Sequence, residues 1–371
     1  TAQLEEIKST VGEWNSVLGT TMSNSLIVGS TSNNENRSGI DKLFPFVDIL
    51  APDGTAYISF GSEPFTPSNK LKYKTFQIQE NFSRFSTNHS FVFGATAQRY
   101  QAENVFWSCC MQADYVYNSL ADFYADANGY LANPNRTTST VPLRYFKQRY
   151  SNYPGLDEPL QELKVWYAGA YAQDEWRPRR NMTVTMGLRF DVPAFENTAY
   201  ANAKADALTF RDENGQPVQY SSGSMPGKNI LWSPRIGVNW SPSSGMRTQF
   251  RGGTGIFTGP PLYVWISNQL GNTGVLIGEI IEQQAAPTAP QLLTRPFNPD
   301  PKKYWPTNVT GEGAASYELD VTDHDFKFPQ VWRTNFAVDQ RLPWGMTGTA
   351  EFLYNKDVNG ISYLNAKLGA P

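Results

Sequence analysis

Hydrophobic and polar positions alternate strictly along residues 181–192, NMTVTMGLRFDV. Met182, Val184, Met186, Leu188 and Phe190 hold one parity, and Asn181, Thr183, Thr185, Gly187, Arg189 and Asp191 hold the other. Successive side chains of a strand point to opposite faces, so this stretch predicts a strand with one oily and one wet face. The pattern recurs. Ile230, Trp232, Ile236, Val238 and Trp240 oppose Ser233, Arg235, Gly237 and Asn239. Phe250 and Ile256 oppose Arg247, Gln249 and Arg251, and Trp332, Phe336 and Val338 oppose Arg333, Asn335 and Asp339. Met346, Ala350, Phe352 and Tyr354 oppose Thr347, Thr349 and Glu351, while Phe91, Phe93, Ala95 and Ala97 share a face earlier in the chain. About ten such segments occur, each of the roughly 9–11 residues that a tilted strand needs to cross a bilayer.

The connections between segments alternate in length. Short turns are expected near residues 22–24, 85–88, 177–181, 242–245 and 342–345. Long polar stretches fill 31–69, 102–161, 195–228 and 258–329. They fall on every second connection, so all would leave the same end of an up-and-down sheet. Outer-membrane barrels have this asymmetry of short turns and long outer loops. Trp176, Trp240 and Trp344 stand beside short turns, and Trp232 and Trp332 at the far ends of their segments. A soluble core places such rings mid-strand, whereas membrane strands carry aromatic girdles at both water interfaces. The wet parity holds Glu175, Arg189, Asp191, Arg235, Arg247, Arg251, Arg333, Asp339 and Glu351, which a polar barrel lumen would solvate or pair.

Composition sharpens this picture. Only 18% of the 371 residues are charged and 14% are aromatic. The net charge of −3 without a basic block argues against nucleic acid. Mean hydropathy is negative and no apolar run reaches the roughly 18 residues of a transmembrane helix. Alternating barrel strands escape that criterion. No signal peptide opens the chain. The prediction is an all-β, antiparallel, up-and-down transmembrane barrel region covering residues 1–371, a partial barrel of about ten strands with long extracellular loops. The rival is a soluble secreted β-protein that binds carbohydrate or protein through its loops, since alternation alone fits a soluble antiparallel sheet too.

The segments YAGAYAQDEWRPRRNMTVTMGLRFD (167–191), SPRIGVNW with RTQFRGGTGIF, and ENFSRFSTNHSFVFGATAQRY with His89 resemble the hairpins of TonB-dependent outer-membrane receptors. WRTNFAVDQRLPWGMTGTAEFLYNKDVNGISYLNA (332–366) resembles their Oar-like branch. The resemblance spans most of the chain, as barrel. It implies ligand capture and uptake across the outer membrane of a Gram-negative bacterium. Its partners would be outer-membrane lipid, a small ligand, peptide or oligosaccharide, and the TonB complex. Family members are longer, with an N-terminal plug that is not recognisable here, and KLGAP is not a terminal aromatic strand. The chain is therefore expected to be an internal fragment whose TonB contacts lie elsewhere.

Candidate chemistry adds little. RGGTG at 251–255 lies in a strand pattern and has no Lys, which argues against a phosphate loop. Asp320, Asp323, His324 and Asp325 lack the full ligand set of a calcium loop. His89 and His324 are far apart in sequence, no GxSxG is present, and neither enzyme activity nor a cofactor is expected. Cys109 and Cys110 are adjacent, bond each other only with strain, and read as an ordinary loop pair. The aromatic run 115–130, with Tyr115, Tyr117, Phe123, Tyr124 and Tyr130, suits stacking on a sugar or a peptide. Arg144, Tyr145 and Tyr150 extend it. The same rings also suit a long loop that packs on itself.

Overall fold

The computed structural model describes residues 2–38, 42–242, 247–283 and 293–365. Ten strands form one antiparallel meander: β1 (Ala2–Leu18), β2 (Met22–Ser38), β3 (Asn69–Phe85), β4 (His89–Val105), β5 (Leu160–Arg179), β6 (Met182–Phe195), β7 (Leu231–Trp240), β8 (Thr248–Thr258), β9 (Gln330–Arg341) and β10 (Thr347–Asn359). Each strand pairs with the next in the chain, and β1 and β10 each have one neighbour, so the sheet is open among the described residues.

The strands are longer than the lipid-crossing minimum. β1 to β4 run 17 residues each and β5 runs 20. The expected loop at 31–69 thus begins inside β2, and that at 102–161 begins inside β4. These extensions include TSNNENRS, whose side chains are polar on both faces. Backbone pairing does not require an oily face, so the ladder continues where the alternation stops. The first turn also moves. It lies at 19–21, where Gly19 takes φ +67°, and not at 22–24, which already belongs to β2. Glycine supplies the left-handed backbone that a tight reversal needs. Residues 243–245 of the fourth expected turn and the KLGAP terminus lie outside the described residues.

The register assembles two faces. Trp176 lies opposite Val184, Trp240 opposite Met182 and Trp232 opposite Phe190, all on the apolar side with Leu188, Ile236 and Val238. The eight steps from Trp232 to Trp240 span about 27 Å. Tilted like a barrel strand, this belt stands about 20 Å high, close to the ~25 Å band of an outer-membrane barrel. At the loop end of the belt, Trp332 satisfies its indole N–H on Thr254 Oγ1 at 2.7 Å.

The long connections do not trail as coil. Segments Phe46–Leu50, Ala56–Phe60, Asp114–Tyr117, Leu143–Ser151 and Ile277–Gln283 form a second, five-stranded sheet drawn from three of them. Its one parallel pairing joins Phe46–Leu50 to Asp114–Tyr117. Helix α1 (Leu120–Ala132), capped by Ser119 Oγ accepting from the Asp122 N–H, packs on it. Val47, Ile49, Tyr115, Tyr117, Leu143, Phe146 and Phe297 form its core.

Within this subdomain Cys109 and Cys110 lie in a loop and are bonded to each other. The surrounding backbone holds them in place. Cys110 N–H donates to Pro64 O and Arg149 N–H donates to Cys110 O, each at 3.0 Å, with Cys110 at φ +64°.

Candidate functional site: the charged face and its roof

The wet parity of the sequence becomes one face of the sheet. Cross-strand register places Glu175, Arg189, Asp191, Arg235, Arg251, Arg333, Asp339 and Glu351 together on it, because directly opposed residues point the same way. Arg247 precedes β8, where its carbonyl accepts the Arg341 N–H at 2.7 Å.

The face is layered from loop end to turn end. Nearest the loops is an aromatic and amide layer. Helix α2 (Tyr263–Gly271) folds down onto the outer ends of β3 to β6, where Ala102, Leu163, Val165, Ile266 and Leu270 are buried together. Tyr100 stacks between Tyr73 and Tyr263, at centroid distances of 5.7 and 4.6 Å. Phe328, fully buried, lies parallel to Tyr167 at 5.9 Å. Beneath the helix, buried Asn104 donates to Gln161 Oε1 and to Ser267 Oγ, both at 3.0 Å. Ser267 in turn donates to Gln161 at 2.9 Å, so these polar groups are satisfied without water.

Next comes an ion-paired layer. Asp191 is fully buried and accepts from Arg189, Nη2 to Oδ1 being 2.6 Å. Arg189 also donates to Thr96 Oγ1 at 3.0 Å and lies 5.4 Å from the centroid of the Tyr171 ring. Tyr171 passes over Gly94, where a Cβ would lie 2.2 Å from Tyr171 Cζ, and it hydrogen-bonds Asn81. Glycine at this position lets the ring lie flat on the sheet. Nearer the turns, Arg251 Nε meets Asp339 Oδ2 at 2.8 Å, and Thr349 donates to Asp339 Oδ1 at 2.7 Å. Glu175 pairs with Arg177 at 2.5 Å, and Glu351 shares the register row of Arg251.

Arg235 and Arg333 differ from these. Both line a depression of about 530 Å³ between the two paired layers, with Thr185, Phe257, Asn335 and Asn355.

The predicted loop contacts divide by burial. Tyr115 and Tyr117 are fully buried, Tyr150 is buried, and Phe123 and Tyr130 pack against the subdomain core around Phe297. The structure gives these five rings a packing role. Tyr124 and Arg144 are exposed and Tyr145 is half-buried, so these three reach the surface. Burial pushes the Tyr117 hydroxyl well above its usual range, and it donates to buried Asp126 at 2.7 Å. Asp126 also takes the Ser139 hydroxyl, the Phe297 N–H and the Arg136 guanidinium, fully satisfying a carboxylate the sequence did not single out. Asp320 accepts from Asn272 at 2.8 Å, and Asp323 accepts from the Asp325 N–H. Among the described residues, no group of three or more acidic, His or Cys side chains is arranged to hold a metal.

The outer membrane beta barrel domain family matches residues 2–368, nearly the whole chain. The chain belongs to that family. This barrel domain is also similar in fold to the outer membrane transporter YddB of Escherichia coli, at 10% identity and a TM-score of 0.51, covering 95% of this chain and 34% of that one. The ferric-catecholate import receptor Fiu of E. coli K12 aligns at 10% identity and TM-score 0.48, over 98% of this chain and 42% of the receptor. The siderophore receptor PirA of Acinetobacter baumannii aligns at 10% identity and TM-score 0.41, over 96% and 35%. The barrel domain described here thus spans between 34% and 42% of these structures' lengths. No curated protein sequence matches it. The family places the protein in the outer membrane, with an antiparallel barrel architecture.

Proposed function

We propose that the chain is the barrel portion of a TonB-dependent receptor, of the Oar-like branch, that captures a ligand and admits it across the outer membrane of a Gram-negative bacterium. The charged face lines the lumen, the apolar belt meets lipid, and the loop subdomain lies outside the cell. The TonB complex acts through parts of the receptor outside this chain. One observation carries the reading. Connections that all leave one end of the sheet fold into a subdomain with its own core, and one of them bends inward onto the charged face. A roof over a polar interior suits selection of what enters.

Ligand contacts fall to the exposed side chains of the roof, Tyr124 and Arg144 first among them, since binding residues concentrate on loops held by a rigid scaffold. The ligand is a small molecule, peptide or oligosaccharide. Replacing residues 106–159 by a short linker in the full-length receptor tests this. The expected result is loss of ligand uptake with a barrel that still folds. Uptake at the normal rate would leave the subdomain as a cover alone.

A further inference from the structure

We infer that the depression around Arg235 and Arg333 is an oxyanion site, taking a carboxylate or phosphate group of a ligand that passes along the charged face. The inference rests on the proposed reading of that face as the lumen wall.

Among the described residues five arginines of the strands point to this face in the span from β6 to β9, Arg341 at its turn end, and the four inner ones differ in their partners. Arg189 is held by Asp191 and Arg251 by Asp339. Arg235 and Arg333 take part in no ion pair or hydrogen bond among the described residues. Their positions are coupled by register: Arg235 lies opposite Gly255, and Gly255 lies opposite Arg333. Their Cα positions therefore stand two strand spacings apart, roughly 10 Å, across a residue with no side chain. On its other side Arg235 leans over Gly187, where a Cβ would meet Arg235 Nε at 2.9 Å. That Nε is buried and has no hydrogen-bond partner.

The floor is open. Gly237 lies opposite Gly253, and above Gly237 a Cβ would meet nothing nearer than a backbone oxygen at 3.6 Å. The walls include the neutral polar side chains Thr185, Asn335 and Asn355 and contain no carboxylate. The volume of about 530 Å³ is that of a small-ligand site. Two cations in a concave, partly desolvated site without counter-charge focus a positive potential and favour an anion there. Arginine donates in a planar fork that matches carboxylate and phosphate oxygens. The paired layers on either side, Arg189–Asp191 and Arg251–Asp339, are already neutralised, which confines the positive potential to this row.

The test measures the charge of the site from the aqueous phase. Thr185→Cys in the full-length receptor, in outer-membrane vesicles, is modified with anionic and with cationic methanethiosulfonate reagents. The anionic reagent is expected to react at least about tenfold faster, as focused fields allow. Inorganic phosphate should slow it. Combined Arg235→Gln and Arg333→Gln should bring the ratio near one and abolish the phosphate effect. Lysine at both positions should keep the ratio, which guards against simple misfolding. Arg251→Gln combined with Asp339→Asn, which removes a neutral pair outside the depression, should leave it unchanged. A ratio near one in the parent, a ratio indifferent to the glutamines, or no protection by phosphate overturns the oxyanion site and leaves the lumen reading intact. Failure of Thr185→Cys to react with either reagent, while Met186→Cys does react, overturns the lumen reading and the site with it.

Discussion

Asp114 shows how one side chain can set a condition on the whole roof. It opens the strand Asp114–Tyr117 opposite Lys147, and its Oδ1 is buried without a hydrogen bond. Burial, with repulsion from Asp48, pushes its carboxyl up to about 7 against partial relief from Lys147. A carboxyl raised on folding binds its proton more tightly in the folded state, so charging it costs stability. That cost is absent below about pH 4, grows as pH rises, and is complete above about pH 7, at most about 4 kcal/mol. Asp114→Asn should therefore stabilise the subdomain at pH 8 and change little at pH 4. Amide exchange across Leu143–Ser151 at the two pH values measures this, and equal protection of the two proteins at pH 8 would refute it. Nothing in the sequence marked Asp114. Its neighbour Asp48 comes from another connection and Lys147 from 33 residues along its own, and both meet it only in the folded sheet.

At the scale of the element, strand and face were legible and strand length was not. The parity of β6 to β10 was readable because lipid and water make opposite demands on successive residues. In β2 the alternation ends near Thr31 while the ladder continues to Ser38. The roof strands were missed for a related reason. FVDIL, DYVY and IGEIIEQ are shorter than a membrane crossing and sit in stretches read as loops. The i, i+2 spacing of Val47 with Ile49 and of Tyr115 with Tyr117, which the fold buries, is the one sequence signal that could have found them. The facing itself is testable on neighbouring residues. Leu188, half exposed on the belt, should tolerate Arg poorly, at a cost of roughly 2–4 kcal/mol for a midplane position on the lipid face. Thr185→Arg, on the charged face, should cost far less. Unfolding in lipid vesicles by denaturant compares the two, and equal costs would reject the assignment of faces.

For the whole molecule, the open sheet is the controlling fact. Among the described residues β1 and β10 each present one unpaired backbone edge. Hydrocarbon offers no partner for those groups, and an exposed edge templates pairing with other chains. The chain refolded alone in detergent is expected to form no compact, heat-modifiable monomer on a gel, and to associate instead. A monodisperse, heat-modifiable monomer would show that the two edges close on each other.

Alternation along the chain alone determined the strands of the large sheet, though not their lengths, with their order, the two faces and the end from which the long connections leave. Those properties are local, because side chains go to one face or the other according to their own parity. The tertiary structure alone decided which long-range charges neutralise each other and which stay open, since Arg251 finds Asp339 on the neighbouring strand while Arg235 and Arg333 stand apart on either side of Gly255. It also decided the fate of the aromatic run. Tyr115 and Tyr117 look identical to ligand-stacking rings in sequence, and they became core when Phe297, more than a hundred residues later, closed over them. Burial of a ring is a property of what folds against it, and that information is not carried by the ring's own neighbours in the chain.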